Sequence, residues 1–294
     1  MSNNLSLIGR RSEGCDIPKR NRFERHNGSM VKLMEALFVT FQVMLGLLVI
    51  SEPGIALGQI ATVGDVKPLR VTCLDVYGQA ERGIGPKNIQ RCLGSTGEFT
   101  FQTVDGEQIR NKALKEFDVL ICPGGSGSRQ SKALDEAGRQ AVLDFVEQGG
   151  GYVGICAGAY LASSHYSWSL GILNAKVVDT AHWARGTGDV KLKLTSEGRK
   201  LLGGDRDQLS CYYGQGPLLA PGDRKDLASY QILATYDSEI AKRNAPTGVM
   251  IGTTAIAIAT YGKGRVVCFS PHPEKTEGLE DFIRRAVQWA GSNE

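Results

Sequence analysis

The stretch GGGYVGICAGAY, from Gly149 to Tyr160, predicts a buried strand that turns sharply into a helix. Cys156 lies on the turn, with Gly154 two residues before it and Gly158 two residues after it. A glycine-flanked elbow of this kind can hold a nucleophile clear of a sheet, because no side chain crowds the bend. The start of a helix also favours thiolate over thiol. Cys156 is therefore a candidate nucleophile, the alternative being a small buried cysteine at a strand-to-helix junction.

Around this elbow, strand and helix patterns alternate from Arg70 onward, which is typical of an α/β protein with a mostly parallel sheet covered on both faces. Besides the elbow strand, the predicted strands are Val71–Val76, Phe99–Val104, Val119–Cys122, Asp189–Leu194, Ile232–Tyr236, Thr254–Tyr261 and Arg265–Ser270. Besides the elbow helix, the predicted helices are Pro86–Leu93, Glu107–Phe117, Glu136–Gln148, Ser196–Leu202 and Leu279–Trp289. Residues 163 to 188 are expected to form a long loop of the kind that covers active sites.

A glycine-rich loop follows the strand that precedes the elbow. Val119–Cys122 ends abruptly in Pro123, Gly124 and Gly125. Chemistry in parallel sheets is placed at the carboxyl ends of the strands. Backbone N–H groups of such a loop can hold an oxyanion or a phosphate, and the simpler alternative is a plain turn.

A histidine and a glutamate follow the last predicted strand, in the sequence Pro271-His272-Pro273-Glu274. A cysteine nucleophile needs a base that takes its proton and a group that orients the base. The end of a parallel strand brings His272 to the same edge of the sheet as Cys156, and the two-residue spacing lets Glu274 lie beside the imidazole. An exposed His and Glu after a strand is the alternative.

The order of these motifs resembles that of the class I glutamine amidotransferase-like superfamily. The shared features are a strand followed by PGG, then G-x-C-x-G, then His-Pro-Glu near the C-terminus, and the resemblance covers roughly residues 70 to 289. Within that superfamily, GICAGAY, YYGQGP and GKGRVVCFSPHPE look most like the N-terminal domain of biotin-protein ligases and its stand-alone bacterial relatives. The resemblance implies a flavodoxin-like three-layer sandwich.

The resemblance also implies roles for individual residues. Cys156 would be the nucleophile, His272 the base and Glu274 the orienting acid, with oxyanion donors from the backbone of Ala157 and of Gly124 or Gly125. Glutamine amidotransferases usually carry Gln two residues after the second glycine of the elbow, where this chain has Tyr160. Tyr160, together with Tyr213 of the YYGQGP turn, is a candidate substrate-binding residue, although that turn can also be a simple β-bulge.

The composition argues against some classes of partner. The net charge is +3, of which residues 1 to 58 carry +2, so the folded part lacks the excess of basic residues that is typical of nucleic-acid-binding domains. The seven cysteines have no C-x-x-C spacing, and the four histidines form no H-E-x-x-H motif, so neither a metal nor a disulfide framework is expected. No cofactor is expected. Because no ligase half follows, biotin ligation is not predicted.

The N-terminal part differs in character from the rest. Residues 1 to 58 are predicted to be a disordered segment followed by a signal peptide, whose hydrophobic region is the uncharged run from Ala36 to Ile50. Ala56 and Gly58 precede Gln59 as small residues at a cleavage site. Residues 59 to 69 are a linker, and 70 to 291 form the domain. We therefore expect export to the periplasm or the exterior, with a membrane anchor or a buried helix as the alternatives.

Together these features predict a cysteine-nucleophile hydrolase or amidotransferase-like domain that acts on an amide or related acyl bond of a small molecule or peptide. Two alternatives remain open. One is a binding or regulatory module that retains the fold without turnover, and the other is redox or aldehyde chemistry at a reactive thiol. The sequence predicts neither the substrate nor the oligomeric state.

Overall fold

The computed structural model describes residues 67–78, 84–94, 96–204 and 207–292. The predicted disordered segment, the signal peptide and most of the linker lie outside these residues. Among the helices of the described part, none is long and apolar enough to cross a membrane.

The described strands form one mixed sheet. They are β1 Leu69–Leu74, β2 Phe99–Val104, β3 Val119–Cys122, β4 Gly151–Ile155, β5 Ala175–Val178, β6 Gly188–Leu194, β7 Gln208–Tyr213, β8 Leu218–Pro221, β9 Gln231–Tyr236, β10 Thr254–Tyr261 and β11 Gly264–Phe269. Their main order is β2-β1-β3-β4-β11-β10-β9-β6-β7. The pairs from β2 to β11 are parallel, and those from β11 to β7 are antiparallel. We call these two parts the parallel half and the antiparallel half. The short strand β8 joins β5 to β10.

Helices cover both faces of this sheet. They are α1 Ile84–Leu93, α2 Gly106–Arg110, α3 Gly127–Glu147, α4 Ala157–Ala162, α5 Ser196–Leu202 and α6 Glu280–Gly291. Helix α6 packs against α1 and α5 on one face, whereas α3 packs against α2 and α4 on the other. The arrangement is therefore a three-layer sandwich.

Strand periodicity explains how one sheet supports two cores. In β3, Val119 and Ile121 join the core on the side of α6, whereas Leu120 and Cys122 join the core on the side of α3. Successive side chains of a strand point to opposite faces, so a continuous apolar run is what a doubly covered strand requires. The PGG loop, the elbow and the His-Pro-Glu segment follow β3, β4 and β11, three adjacent parallel strands.

Three predicted elements differ from the structure. The predicted helix Glu107–Phe117 is broken, because Lys112 adopts a left-handed conformation with φ 68° and a separate 3₁₀ turn spans Ala113–Glu116. Helix α3 is kinked at Asp135, where φ 54° and ψ −163° are not helical, so the helix predicted from Glu136 is its second part. The first part, which was not predicted from the sequence, begins at Gly127 after Ser126, whose side chain caps it by accepting a hydrogen bond from the Arg129 N–H. The expected long loop contains strand β5 and the 3₁₀ turn Thr180–His182.

Candidate active site

Cys156 lies in a strained turn between β4 and α4, with φ 50° and ψ −95°. Such a conformation is unusual for a residue with a side chain and is found mainly at functional sites. A Cβ at Gly154 would lie 2.6 Å from the Gly158 carbonyl oxygen, and a Cβ at Gly158 would lie 2.0 Å from the Cys122 carbonyl oxygen. Both flanking positions therefore require glycine.

The backbone around Cys156 is fixed by hydrogen bonds. Its N–H donates to the Phe269 carbonyl of β11 at 2.7 Å, and its carbonyl accepts the N–H groups of Ala159 and Tyr160, each at 3.1 Å. The sulfur lies 3.6 Å from the Gly214 carbonyl oxygen. The side chain is only 4% exposed. The sulfur is therefore buried against the turn that carries Gly214.

His272 and Glu274 form a buried pair, with 2.6 Å between His272 Nδ1 and Glu274 Oε1. Each residue is 2% exposed. Nδ1 is occupied by the carboxylate, so Nε2 is the ring nitrogen left for Cys156, whose charge and hydrogen bonding help to raise the pKa of His272. The structure thus brings the three predicted residues together: the imidazole is hydrogen-bonded to the carboxylate, and the thiol donates to the Gly214 carbonyl.

Two glycines leave the space that the imidazole ring occupies. A Cβ at Gly124 would lie 2.6 Å from His272 Cε1, and a Cβ at Gly214 would lie 2.6 Å from His272 Nε2. We call Gly124 and Gly214 the glycine clamp. The backbone of the histidine is fixed as well, because its N–H donates to the Tyr212 carbonyl at 2.8 Å.

The electrostatics of the site favour a charged imidazole. Burial lowers the pKa of His272, but the charges of Cys156 and Glu274 and their hydrogen bonds outweigh burial and raise this pKa to about 10. An imidazolium that pairs with a thiolate is the arrangement that activates cysteine as a nucleophile. Glu274 Oε2 is buried and has no hydrogen-bond partner among the described residues.

The other described cysteines are buried thiols with raised pKa values. Burial raises the pKa of Cys92 to about 11 and that of both Cys122 and Cys211 to about 12. It raises the pKa of Cys73 and Cys268 as well. These thiols are neutral near pH 7, so Cys156 differs from them in having a cationic partner.

The expected oxyanion donors lie on the elbow and on the loop beside His272. Ala157 begins α4 directly after Cys156, and a Cβ at Gly124 would lie 2.6 Å from His272 Cε1. Gly125 adopts φ +141°, and a Cβ there would lie 2.8 Å from the Tyr77 hydroxyl oxygen. That hydroxyl accepts the Ser126 N–H at 3.0 Å. The PGG loop is therefore held in one conformation beside the elbow.

The two candidate tyrosines both reach the turn that carries Gly214. The Tyr160 hydroxyl donates to the Gln215 carbonyl at 3.3 Å, and the Tyr213 hydroxyl donates to the Gly216 carbonyl at 2.9 Å. Tyr213 is 1% exposed and packs edge-on against Tyr236. Tyr160 closes one side of the site, whereas Tyr213 supports the turn from within.

Two contributions to the site were not found in the sequence. One is the contact of Gly214 with His272, which depends on how β7 ends. The other is a buried ion pair between Arg185 and Asp179 in the segment expected to be a loop. Among the described residues, no group of three or more His, Cys, Asp or Glu side chains could hold a metal ion.

The layered fold and the strand order define the class of protein. Similar structures are a ThuA-like protein from Bacteroides uniformis ATCC 8492 (TM-score 0.54, 15% identity, 79% of this chain and 95% of that one) and PurLQS from Thermotoga maritima (TM-score 0.50, 15% identity, 76% and 98%). At these identities the similarity shows the fold alone. The predicted flavodoxin-like three-layer sandwich is confirmed.

The particular family follows from the sequence. The family described as "Biotin-protein ligase, N terminal" matches residues 85–288, so the chain belongs to that family, as predicted. An uncharacterized protein of Chlamydia muridarum (strain MoPn / Nigg) is 29% identical over 97 residues. That alignment covers 30% of this chain and 38% of the relative. The chain is thus an amidotransferase-like domain.

Proposed function

We propose that this domain is a cysteine-nucleophile amidohydrolase, with Cys156, His272 and Glu274 as its catalytic residues. The observation that carries the proposal is the buried hydrogen bond between His272 and Glu274 after β11, with Cys156 after the neighbouring strand β4 and close enough to raise the pKa of His272. A thiol, an imidazole and a carboxylate placed in this order are what acyl transfer at cysteine requires.

The first half-reaction forms a thioester. The Cys156 thiolate attacks the amide carbonyl carbon, a C–S bond forms, and the carbonyl π electrons move to oxygen. Backbone N–H groups of Ala157 and of Gly124 or Gly125 stabilise that oxyanion. The C–N bond then breaks as His272 donates its proton to the leaving amine.

The second half-reaction releases the product. His272 accepts a proton from water as the water oxygen attacks the thioester carbonyl. The new tetrahedral intermediate collapses, the C–S bond breaks, and the thiolate and imidazolium are restored. Glu274 holds the imidazole through Nδ1 in both steps and stabilises its positive charge.

The test is to incubate the protein with a panel of amides and short peptides and to search for a thioester at Cys156 by intact and peptide mass spectrometry. We expect at least one amide to add an acyl group to Cys156 in the wild type. No amide should give an acyl adduct in Cys156→Ala. His272→Ala should also prevent the adduct. His165→Ala is the matched control, because His165 is exposed and lies on the surface loop after α4. Hydrolysis that persists in Cys156→Ala would contradict the proposal.

A binding module without turnover is the second candidate, and the 4% exposure of Cys156 favours it. Such a module would bind an amide without ever forming the thioester. Saturable binding by calorimetry, with no adduct and no product over the whole panel, would support the module.

We also propose that the chain is exported after cleavage before Gln59. The support is the uncharged run from Ala36 to Ile50, followed by the small residues Ala56 and Gly58. N-terminal sequencing of the mature protein from cells is expected to begin at Gln59. A mature protein that retains Leu5 or Lys32 would refute cleavage.

A further inference from the structure

Arg185 is a buried cation with unused hydrogen-bonding capacity. It is 1% exposed, and its Nη2 pairs with Asp179 Oδ2. The second oxygen of Asp179 is occupied by His182 Nδ1 at 2.5 Å. Arg185 Nη1 has no hydrogen-bond partner among the described residues. A buried guanidinium nitrogen without an acceptor is costly, so it calls for a ligand or another explanation.

The fold places Arg185 next to the candidate active site. Gly188, three residues after Arg185, pairs with Tyr213 at the start of β6. The next residue after Tyr213 is Gly214, whose carbonyl lies 3.6 Å from the Cys156 sulfur. Arg185 therefore lies three residues from the strand pair that leads to Gly214 and the sulfur.

The electrostatics of two tyrosines support this placement. Burial raises the pKa of both Tyr160 and Tyr213, the charge of Cys156 raises it further, and the positive charge of Arg185 lowers it. Both phenols are thus within electrostatic range of the sulfur and of the guanidinium. Beside Arg185, Trp183 is 57% exposed, so the same short segment extends from solvent to the buried cation.

We propose that Arg185 Nη1 binds a carboxylate of the substrate, so that the site takes an amide that also carries an acidic group. This inference rests on the proposed function, because it assigns the substrate class of the same site. The guanidinium is well suited to the role, since it remains charged when buried and its pairing with Asp179 Oδ2 leaves Nη1 free for a second carboxylate.

The experiment compares acids with neutral amides of the same length on the full chain. Iodoacetamide modification of Cys156 is followed by peptide mass spectrometry while malonamate, succinamate or glutaramate competes. The matching diamides, malonamide, succinamide and glutaramide, are the neutral probes. We expect at least one acid to protect Cys156 at a concentration about tenfold lower than its diamide, as a charged hydrogen bond supplies.

Arg185→Lys is the sharpest variant, because it retains the positive charge beside Asp179 and removes Nη1. The preference for acid over diamide, measured as a ratio within each variant, should fall about tenfold. Arg284→Lys is the matched control, since Arg284 also pairs with a carboxylate, that of Glu98 at 2.6 Å. Its acid preference should equal that of the wild type.

A thermal-shift measurement with the same probes separates failure of this inference from failure of the proposed function. Binding of an acid raises the melting temperature whether or not the thiol is reactive. If Cys156 reacts only as an ordinary thiol but acids still stabilise the wild type more than diamides do, the proposed function fails and the anion site stands. Equal effects of acids and diamides on the wild type, in both measurements, would overturn the inference even if Arg185→Lys does not fold.

Discussion

The parallel half of the sheet delivers its site residues directly at strand ends, whereas the antiparallel half reaches the same edge through turns. Cys156 follows β4 and His272 follows β11, and these two strands are neighbours in register. Gly214 instead lies on the turn after β7, and Arg185 lies before β6. The parallel half therefore positions Cys156 and His272 relative to each other, and the antiparallel half surrounds them.

The largest effect is expected where the parallel half is most crowded. In Gly158→Ala the new methyl would lie 2.0 Å from the Cys122 carbonyl oxygen, so β3 and α4 must separate. We expect a loss of more than about 3 kcal/mol in the free energy of unfolding, measured by urea denaturation. Gly94→Ala is the control, because Gly94 has open space and a φ of +66°, where a methyl costs only the strain of a left-handed residue, about 1–2 kcal/mol. Equal losses in the two variants would mean that the elbow is not tightly packed.

The next effect is on the reactivity of Cys156. Replacing His272 by Gln removes the cation that pairs with the thiolate, so alkylation by iodoacetamide at pH 7 should slow by about a hundredfold. The measurement is the rate of Cys156 modification between pH 5 and 10. The same rate in wild type and variant would show that the histidine does not activate the sulfur.

A smaller effect is expected from the carboxylate. The Glu274 charge raises the pKa of His272, so Glu274→Gln lowers that pKa and the imidazolium loses its proton at lower pH. At pH 10 we expect alkylation to slow about fivefold, because lowering the pKa by roughly one unit from about 10 reduces the charged fraction of the imidazole from about one half to about one tenth. Glu277→Gln, at an exposed position on the same segment, should leave the rate unchanged.

The same pair predicts how stability depends on pH. Because the pKa of His272 is raised in the folded state, its contribution is complete below the unfolded value near 6.5 and is lost as pH rises to about 10. The free energy of unfolding should therefore fall over this range, by at most about 1.4 kcal/mol per pH unit. In His272→Gln the free energy of unfolding, measured by urea denaturation, should depend less on pH. The same dependence on pH as in the wild type would argue against the His272–Glu274 pair.

The smallest effect is expected in the antiparallel half. Tyr213→Phe removes the hydrogen bond to Gly216, which should cost about 1 kcal/mol of stability while slowing alkylation less than Glu274→Gln does. Tyr160→Phe, which loses a longer bond, should cost less. If Tyr213→Phe slowed alkylation as much as His272→Gln, the antiparallel half would contribute more than enclosure.

The same comparison explains what the sequence could predict. Cys156, His272 and Glu274 were predictable because short motifs fix local geometry and parallel strands bring their ends to one edge. The contact of Gly214 with His272 was not, because it depends on antiparallel register between β6, β7 and β9, which no local periodicity encodes. The position of Arg185 was unpredictable for the same reason, because it depends on the pairing of Gly188 with Tyr213.

Local conformation accounts for the remaining differences. Lys112 breaks the helix predicted over Glu107–Phe117 by adopting φ 68°, a conformation that glycine or asparagine would have signalled and lysine does not. Strand β5 escaped prediction because its four residues are held by β8, which is equally short.

The glycine clamp has a consequence for the path of the proton. Gly124 and Gly214 leave room only for a ring without added methyl groups beside it, and a half-turn of the imidazole would break the 2.6 Å hydrogen bond between Nδ1 and Glu274. One nitrogen must then both accept the sulfur's proton and return it to the departing amine. Both proton transfers would then use Nε2 without rotation of the ring, so the reacting groups of the substrate have to come to this nitrogen.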